Sequence, residues 1–438
     1  MKEQQSDRQA IIGGGVLGLT LALRLAKAGK KVTLLEKATE WGGLASGIPI
    51  GNSTVEKFYH HWFRSDTAIQ NLISELGLSD KLEWLPSKVG IYQHGHTYDF
   101  STAIDLLKFP LLSIPDRLKL GLVTRKLQKL EDYKPLESVS ALDWCHKNFG
   151  NNVTKEIWEP LLRNKFGEYA DSIAMSWLWA RIRDRSSSRP NPLARENLGY
   201  LKGGFQLLID KLEAACLKAG VEMLNDTQIT AFRYDGKVHN LTYMSKGETR
   251  TRQFATVVAT VPGPVFTKIF PVDAATKKAI DAVKYIGALD LFLELKQSVM
   301  PYYWLNINDS SFPFLVLVEH TNLVDKSNYS GNTIVYVGKY LKADDRLFNM
   351  ELKDLLDLYT KYLQKINPAF SREMIRQSFI FKSPYAQHIV TTNYKIPPYE
   401  TNIKGLYMAN FSQIYPHDRG TNYAIEQAGE VADIILRA

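Results

Sequence analysis

The segment from Ala10 to Glu36 constrains this chain more than any other. Ala10-Ile11-Ile12 reads as the end of a buried strand and runs into Gly13-Gly14-Gly15-Val16-Leu17-Gly18, then into a helical stretch from Leu19 to Ala28 closed by Gly29. Val32-Thr33-Leu34-Leu35-Glu36 follows as a second apolar strand ending in an acid. Strand, glycine turn, helix, strand and acid in that order predict a βαβ unit that holds a dinucleotide. Gly13 permits the tight turn, Gly15 lets backbone amides approach a pyrophosphate, and Gly18 lets the helix pack on the strand, while the helix N-terminus offers positive potential to the phosphates. Val16 and Leu17, within the glycine turn, join the glycines as binding candidates. Glu36 lies 18 positions after Gly18, where a carboxylate meets an adenosine ribose, with Lys37 beside it.

No second glycine fingerprint with a βαβ context appears later, which argues against a built-in nicotinamide domain. The 438 residues are 45% hydrophobic and 23% charged, a composition that excludes a disordered, collagenous or coiled-coil chain. Lys and Arg exceed Asp and Glu by 8, a modest excess that does not by itself indicate nucleic acid. The two cysteines, Cys145 and Cys216, have neither metal spacing nor the numbers for a disulfide framework, so no metal is expected and a reducing cytoplasm is the expected compartment. The polar start shows no secretory signal, and no run reaches transmembrane length; Phe312–Val318, the strongest apolar run, is strand-sized.

After Glu36 the chain continues to Trp41-Gly42-Gly43-Leu44-Ala45, a paired-glycine loop placed along the same ligand. Together with Gly13 to Gly18 and Glu36, this loop resembles the flavin amine oxidase and protoporphyrinogen oxidase superfamily, which includes phytoene-type desaturases and is related to UDP-galactopyranose mutase. That superfamily commonly has Arg after the paired glycines; Leu44 stands here, so an arginine contact is not carried over. Tyr200-Leu201-Lys202-Gly203-Gly204-Phe205-Gln206 and Phe254–Pro262 also fit, as does the closing stretch Gly405–Asn410 with Asp418-Arg419-Gly420-Thr421-Asn422. The resemblance implies FAD as cofactor, bound by Gly13, Gly15, Val16, Leu17, Gly18, Glu36, Lys37, Gly42, Gly43, Leu44, Ala45, Asn410, Gly420, Thr421 and Asn422. Asn410 replaces the usual acid and can still hydrogen-bond a ribityl hydroxyl, and the amides near Thr421 and Asn422 suit the flavin N1/C2=O edge.

The resemblance also implies an α/β fold: a Rossmann-type FAD-binding domain (1–58, 200–284 and 386–438) interleaved with an α+β substrate domain (59–199 and 285–385) containing a helical lobe and a mixed sheet. Residue patterns agree, since 102–182 has Leu/Trp-rich helical spacing whereas 285–340 alternates apolar and polar residues with β-branched and aromatic enrichment.

Chemistry is sought in four places. His60 and His61 follow the glycine loop in an aromatic setting; one imidazole is a candidate proton donor or acceptor, the alternative being a hydrogen-bonded interface histidine. Tyr385, His388 and Tyr415 lie nearest the flavin motifs in sequence and are pocket candidates. Between Arg163 and Arg195 seven bases meet three acids; Arg181, Arg183 and Arg185 would share one face of a strand but spread around a helix, and are either a phosphate-binding set for the substrate or a solvated basic face or structural salt bridges. The Leu/Lys-rich segment 106–129 is either an amphipathic core helix pair or a peripheral contact with an anionic membrane, at the inner face if the protein is cytoplasmic. The expected function is an FAD-dependent oxidoreductase acting by hydride transfer at flavin N5 on a small molecule, phosphate-bearing or lipid-linked among the options. The alternatives are a UDP-galactopyranose mutase-like enzyme that uses reduced FAD without net redox, and, below it, a non-catalytic flavin-binding protein.

Overall fold

A computed structural model describes residues 7–191 and 193–437. Its organising element is a five-stranded parallel sheet in the order Leu406–Met408, Thr256–Ala259, Gln9–Ile12, Val32–Leu35, Glu222–Leu224. In register, Ile11 sits between Leu34 and Val258. The first two strands in sequence, QAII and VTLL, are buried throughout because helices cover one face, and a three-stranded antiparallel sheet within Thr227–Phe254 with the short helix Gly263–Ile269 covers the other, which explains why they read as continuous apolar runs. The helix Val16–Lys27 begins three residues before the expected Leu19, directly at the glycine turn, and packs with Gly204–Lys218 and the closing helix Thr421–Arg437 through Leu19, Leu23, Leu208, Leu212, Ile425 and Val431.

A second, seven-stranded mixed sheet has the order Ile375–His388, Tyr285–Leu295, Thr333–Leu341, Val316–Glu319, Trp304–Ile307, Val89–Gln93, His96–Asp99. Only the end of the 312–318 run is strand. A helical lobe spanning 103–187 encloses its own core, including Phe109, Leu127, Phe149, Phe166, Trp177 and Trp179. Within it Met175–Ser187 is a helix, so Arg181 and Arg185 are one turn apart on one side and Arg183 is turned away from them. Strands of the two large sheets come from different, alternating stretches of the chain, and the connections between them bring the glycine loops, the closing helix and the helical lobe to one junction.

Candidate active site

The three fingerprint glycines differ in what a side chain would meet. Gly13 has φ +111°, and a Cβ there would stand 2.4 Å from Thr260 Oγ1, which donates to the carbonyls of Ile12 and Gly13 at 3.0 Å. A Cβ on Gly18 would lie 1.9 Å from the Gly13 carbonyl, so only glycine lets the helix sit this close to the turn. Gly15 is the opposite case: its backbone is ordinary, with φ −71° and ψ 179°, and a Cβ would meet nothing within 4 Å. Space has been left there at the N-terminus of a twelve-residue helix whose first turn carries no acid. That cradle suits a pyrophosphate.

Glu36 accepts from the Gly14 amide at 2.5 Å and the Ala38 amide at 2.8 Å, holding its carboxylate against the glycine loop. Lys37 is exposed. The paired-glycine loop lies on the first, Gly42 N donating to Gly14 O at 2.8 Å and Gly43 standing over Gly15. Ala45 is buried, and Leu44 packs with Phe58, Ala288 and Ala386, an apolar wall where an arginine would have put charge.

At the other end, the side-chain contacts expected of the closing motif are already committed within the protein. Asn410 donates to Val261 O at 2.8 Å and accepts from Ser412 N at 2.9 Å. Thr421 Oγ1 accepts from the Trp62 indole at 2.7 Å, and Asn422 accepts from Ile69 N at 3.1 Å while donating to Glu426 at 3.0 Å. What remains for a ligand is the backbone at Gly420 and the start of a seventeen-residue helix with no acid in its first turn.

Several expected catalytic and substrate positions are placed differently from their sequence reading. His388 is wholly buried, donates from Nε2 to Ile414 O at 3.0 Å and is pushed down to about 4 by burial, so it is a neutral interior ring. Tyr385 packs edge-on to Tyr285 instead of joining the histidines. Tyr415 bonds Ser176 at 3.1 Å and lines an open cleft of about 470 Å³ beside Arg183 and Trp179. The arginines do not converge: Arg181 faces Asp418 at 3.6 Å, Arg185 pairs with the buried Glu196 at 3.3 Å, and Arg183 lies over Trp179. Helical geometry separates them, and two of the three charges are already balanced. His60 donates from Nδ1 to Phe58 O at 2.6 Å, and burial with help from Arg419 pushes it down to about 4. His61 bonds Tyr303 OH at 2.9 Å and is likewise held well below its ordinary value by burial and by Arg185 and Arg181. Both rings are buried and hydrogen-bonded, the arrangement of the interface alternative, and both have a lower affinity for protons than a free imidazole.

The junction instead centres on Arg419, which the sequence reading passed over. Its Nη2 donates to Tyr340 OH at 3.2 Å, while its buried Nε has no partner. With Phe58, Tyr59, Ala288, Asp290, Lys339 and Tyr340 it lines a small internal cavity. Asp290 is 3% exposed with Oδ1 unpartnered; burial pushes it up to about 7, against the pull of Arg419. Gly338 makes room for that carboxylate, since a Cβ there would come within 2.6 Å of Oδ1. Behind Arg419, Asp418 meets Lys165 at 2.9 Å; burial works to raise this acid, but Lys165 and Arg181 outweigh it and hold it well below the carboxylate range. Two signals were available: Arg419 directly precedes Gly420, and Asp290 is one of two acids, with Glu294, in the mostly apolar strand Tyr285–Leu295.

Two glycine loops on a parallel sheet, a closing helix with an acid-free start and a second lobe meeting at a charged cavity define a two-lobed flavoprotein of Rossmann type. The chain belongs to the flavin containing amine oxidoreductases: the family model matches residues 18–436. It is 31% identical over 169 residues to the 15-cis-phytoene desaturase of Solanum lycopersicum, a stretch covering 34% of this chain and 28% of that protein. It is 29% identical over 182 residues to the mitochondrial protoporphyrinogen oxidase of Nicotiana tabacum, covering 40% and 35% respectively. In each case the match thus spans less than half of the relative. The structure of reduced UDP-galactopyranose mutase superposes with a TM-score of 0.74 at 14% identity, over 99% of this chain and 94% of that one, a likeness of fold. FAD is the cofactor the family implies. The open cradle at Gly15, the carboxylate of Glu36 and the acid-free helix start after Gly420 fit its pyrophosphate, ribose and flavin ends. Among the described residues no group of three or more His, Cys, Asp or Glu is arranged to hold a metal, and no helix is long and apolar enough to cross a membrane.

Proposed function

We propose that the protein is an FAD-dependent oxidoreductase whose small-molecule substrate carries a carboxylate or phosphate, held by Arg419. The observation that carries this reading is the pair of buried, unpartnered atoms, Arg419 Nε and Asp290 Oδ1, on the lining of one cavity. Buried polar groups are rarely left unsatisfied, and in a cavity of about 10 Å³ the partner that completes these two is small, one oxygen of a ligand or an ordered water. Lys165, Arg181, Lys339 and Arg419 gather around Asp418 and Asp290, an excess of cations that suits an anion better than a protonated amine. Bound FAD supplies a two-electron acceptor for hydride. Arg419 orients the substrate, Phe58 and Tyr59 exclude water, and Asp290, with an affinity for protons near neutrality, takes the proton that oxidation of the substrate releases.

Anaerobic mixing of the oxidised holoprotein with carboxylated, phosphorylated and amine substrates, followed at the flavin absorbance band, tests the reading. Bleaching by an anionic substrate that emerges oxidised, with KM raised at least about tenfold by Arg419→Gln, is the expected result. Bleaching by amines regardless of Arg419 overturns the anionic assignment. The fold likeness to UDP-galactopyranose mutase favours a second reading, chemistry on reduced FAD without net redox. Product formed solely by dithionite-reduced protein, with the flavin still reduced afterwards, would establish that reading instead.

A further inference from the structure

The helix Ile114–Lys129 carries two apolar stripes on opposite sides. Leu120 and Leu127 face inward and are buried in the helical lobe, with Val123 partly buried beside them. Ile114, Leu118 and Leu122, four residues apart in succession, form a ridge on the far side and are 68%, 54% and 65% exposed. Ile104 and Leu107 on the neighbouring helix Ala103–Lys108 are exposed too. These five make up nearly half of the eleven large exposed apolar residues among those described, and the other six are scattered singly from Leu193 to Leu436. An ordinary amphipathic helix has one apolar stripe, which its core consumes. The outward ridge therefore has no partner among the described residues.

Its surroundings identify the partner. Lys108, Lys119, Arg125, Lys126 and Lys129 are exposed and none of them forms an ion pair within the described residues. The segment's two acids, Asp105 and Asp116, are taken up as helix-capping groups with Thr102 and Ser113. Arg117 donates to Leu107 O at 2.6 Å and Leu112 O at 2.8 Å, fixing the two helices to each other so that both ridges project together. A second copy docked about a twofold axis would bring the same cations face to face, which charge repulsion opposes. A surface of anionic headgroups above hydrocarbon satisfies both the leucines and the bases.

We propose that the face formed by Ile104, Leu107, Ile114, Leu118 and Leu122, with its basic border, docks on an anionic lipid bilayer. The leucine ridge enters the headgroup boundary and the cations lie at phosphate level. The carboxyl end of the same helix, where Leu127 and Leu130 carbonyls accept from Trp179, adjoins the open cleft that Trp179 and Arg183 line, so docking sets this cleft beside the membrane.

Sedimentation of the FAD-loaded protein with phosphatidylcholine vesicles, with and without phosphatidylglycerol, tests the proposal. Binding to the anionic vesicles is expected to fall about tenfold or more in Leu118→Ser/Leu122→Ser and to lose its lipid preference in Lys126→Glu/Lys129→Glu, with flavin content and melting unchanged. Failure of the wild type to bind anionic vesicles, or equal binding by wild type and both variants, overturns it. So does a wild-type dimer in light scattering that the leucine variant dissociates, because the face would then belong to a second copy.

Discussion

Gly15 and Gly18 stand three residues apart and are kept for different partners. Gly18 is demanded by the protein itself, because a Cβ would collide with the Gly13 carbonyl at 1.9 Å. Gly18→Ala is expected to cost about 3 kcal/mol or more, at the top of the range for overpacking, and to lower the melting temperature with or without FAD. Gly15 has a backbone any residue adopts and empty space ahead of it. Gly15→Val should therefore melt within about 1 kcal/mol of the wild-type apoprotein yet retain no FAD, as read from flavin absorbance after gel filtration. A normal flavin content in Gly15→Val would show that the pyrophosphate lies elsewhere. The same scale shows why side-chain identity alone does not decide between a proton carrier and an interior ring at His60 and His388. Their ordinary affinity for protons describes a ring in water, and these rings are buried, His60 beside Arg419 as well.

Among elements, Glu56 is the tie that the sequence did not advertise. At the end of the strand Ser53–Glu56 its carboxylate accepts from Tyr200 OH at 2.9 Å and from Phe205 N at 2.6 Å, and its carbonyl accepts from Tyr336 OH. One residue thus joins the glycine-loop extension, the strand Asn197–Leu201, the helix Gly204–Lys218 and the second sheet. Burial pushes its carboxyl up from 4.5 to about 7. The native protein keeps this proton through a window in which the unfolded chain has already released it. Stability therefore falls as pH rises from about 4.5 to 7, and the loss is complete above that, on the order of 3 kcal/mol for this group alone. Asp66 and Asp290, also raised to about 7 by burial, add slope of the same sign. Glu56→Gln, uncharged at every pH, should gain on wild type between pH 5 and 8 in parallel urea titrations. An unchanged difference between the two proteins across that range would mean that Glu56 ionises freely in the native state.

For the whole molecule, the residues proposed to hold FAD, 13–18, 36, 42–45 and 420–422, lie at opposite ends of the chain and meet through the parallel sheet. Cofactor binding consequently stabilises the global fold and not one loop. At a hundredfold excess over Kd, FAD is expected to contribute about 2.7 kcal/mol, a rise of several degrees in Tm by calorimetry that Gly15→Val abolishes. No change in Tm on adding FAD to apoprotein would contradict a site spanning both ends.

The dinucleotide unit was legible because every part of it is local. Turn, strand and helix signals from Ala10 to Glu36 fall within one stretch, and each glycine's role follows from backbone geometry that sequence spacing fixes. The flavin end was legible as motif but not as contact, since Asn410, Thr421 and Asn422 spend their side chains on Val261, Trp62 and Ile69, residues remote in sequence. The leucines of 106–129 signalled a helix pair without saying which of them would be covered, because periodicity marks a stripe and only packing assigns it to core or to solvent. The charged cavity belongs wholly to tertiary structure. Asp290 and Lys339 are brought together by pairing of two strands distant in sequence, and Arg419 joins them from the segment before the closing helix, so the cavity they line exists only in the folded chain.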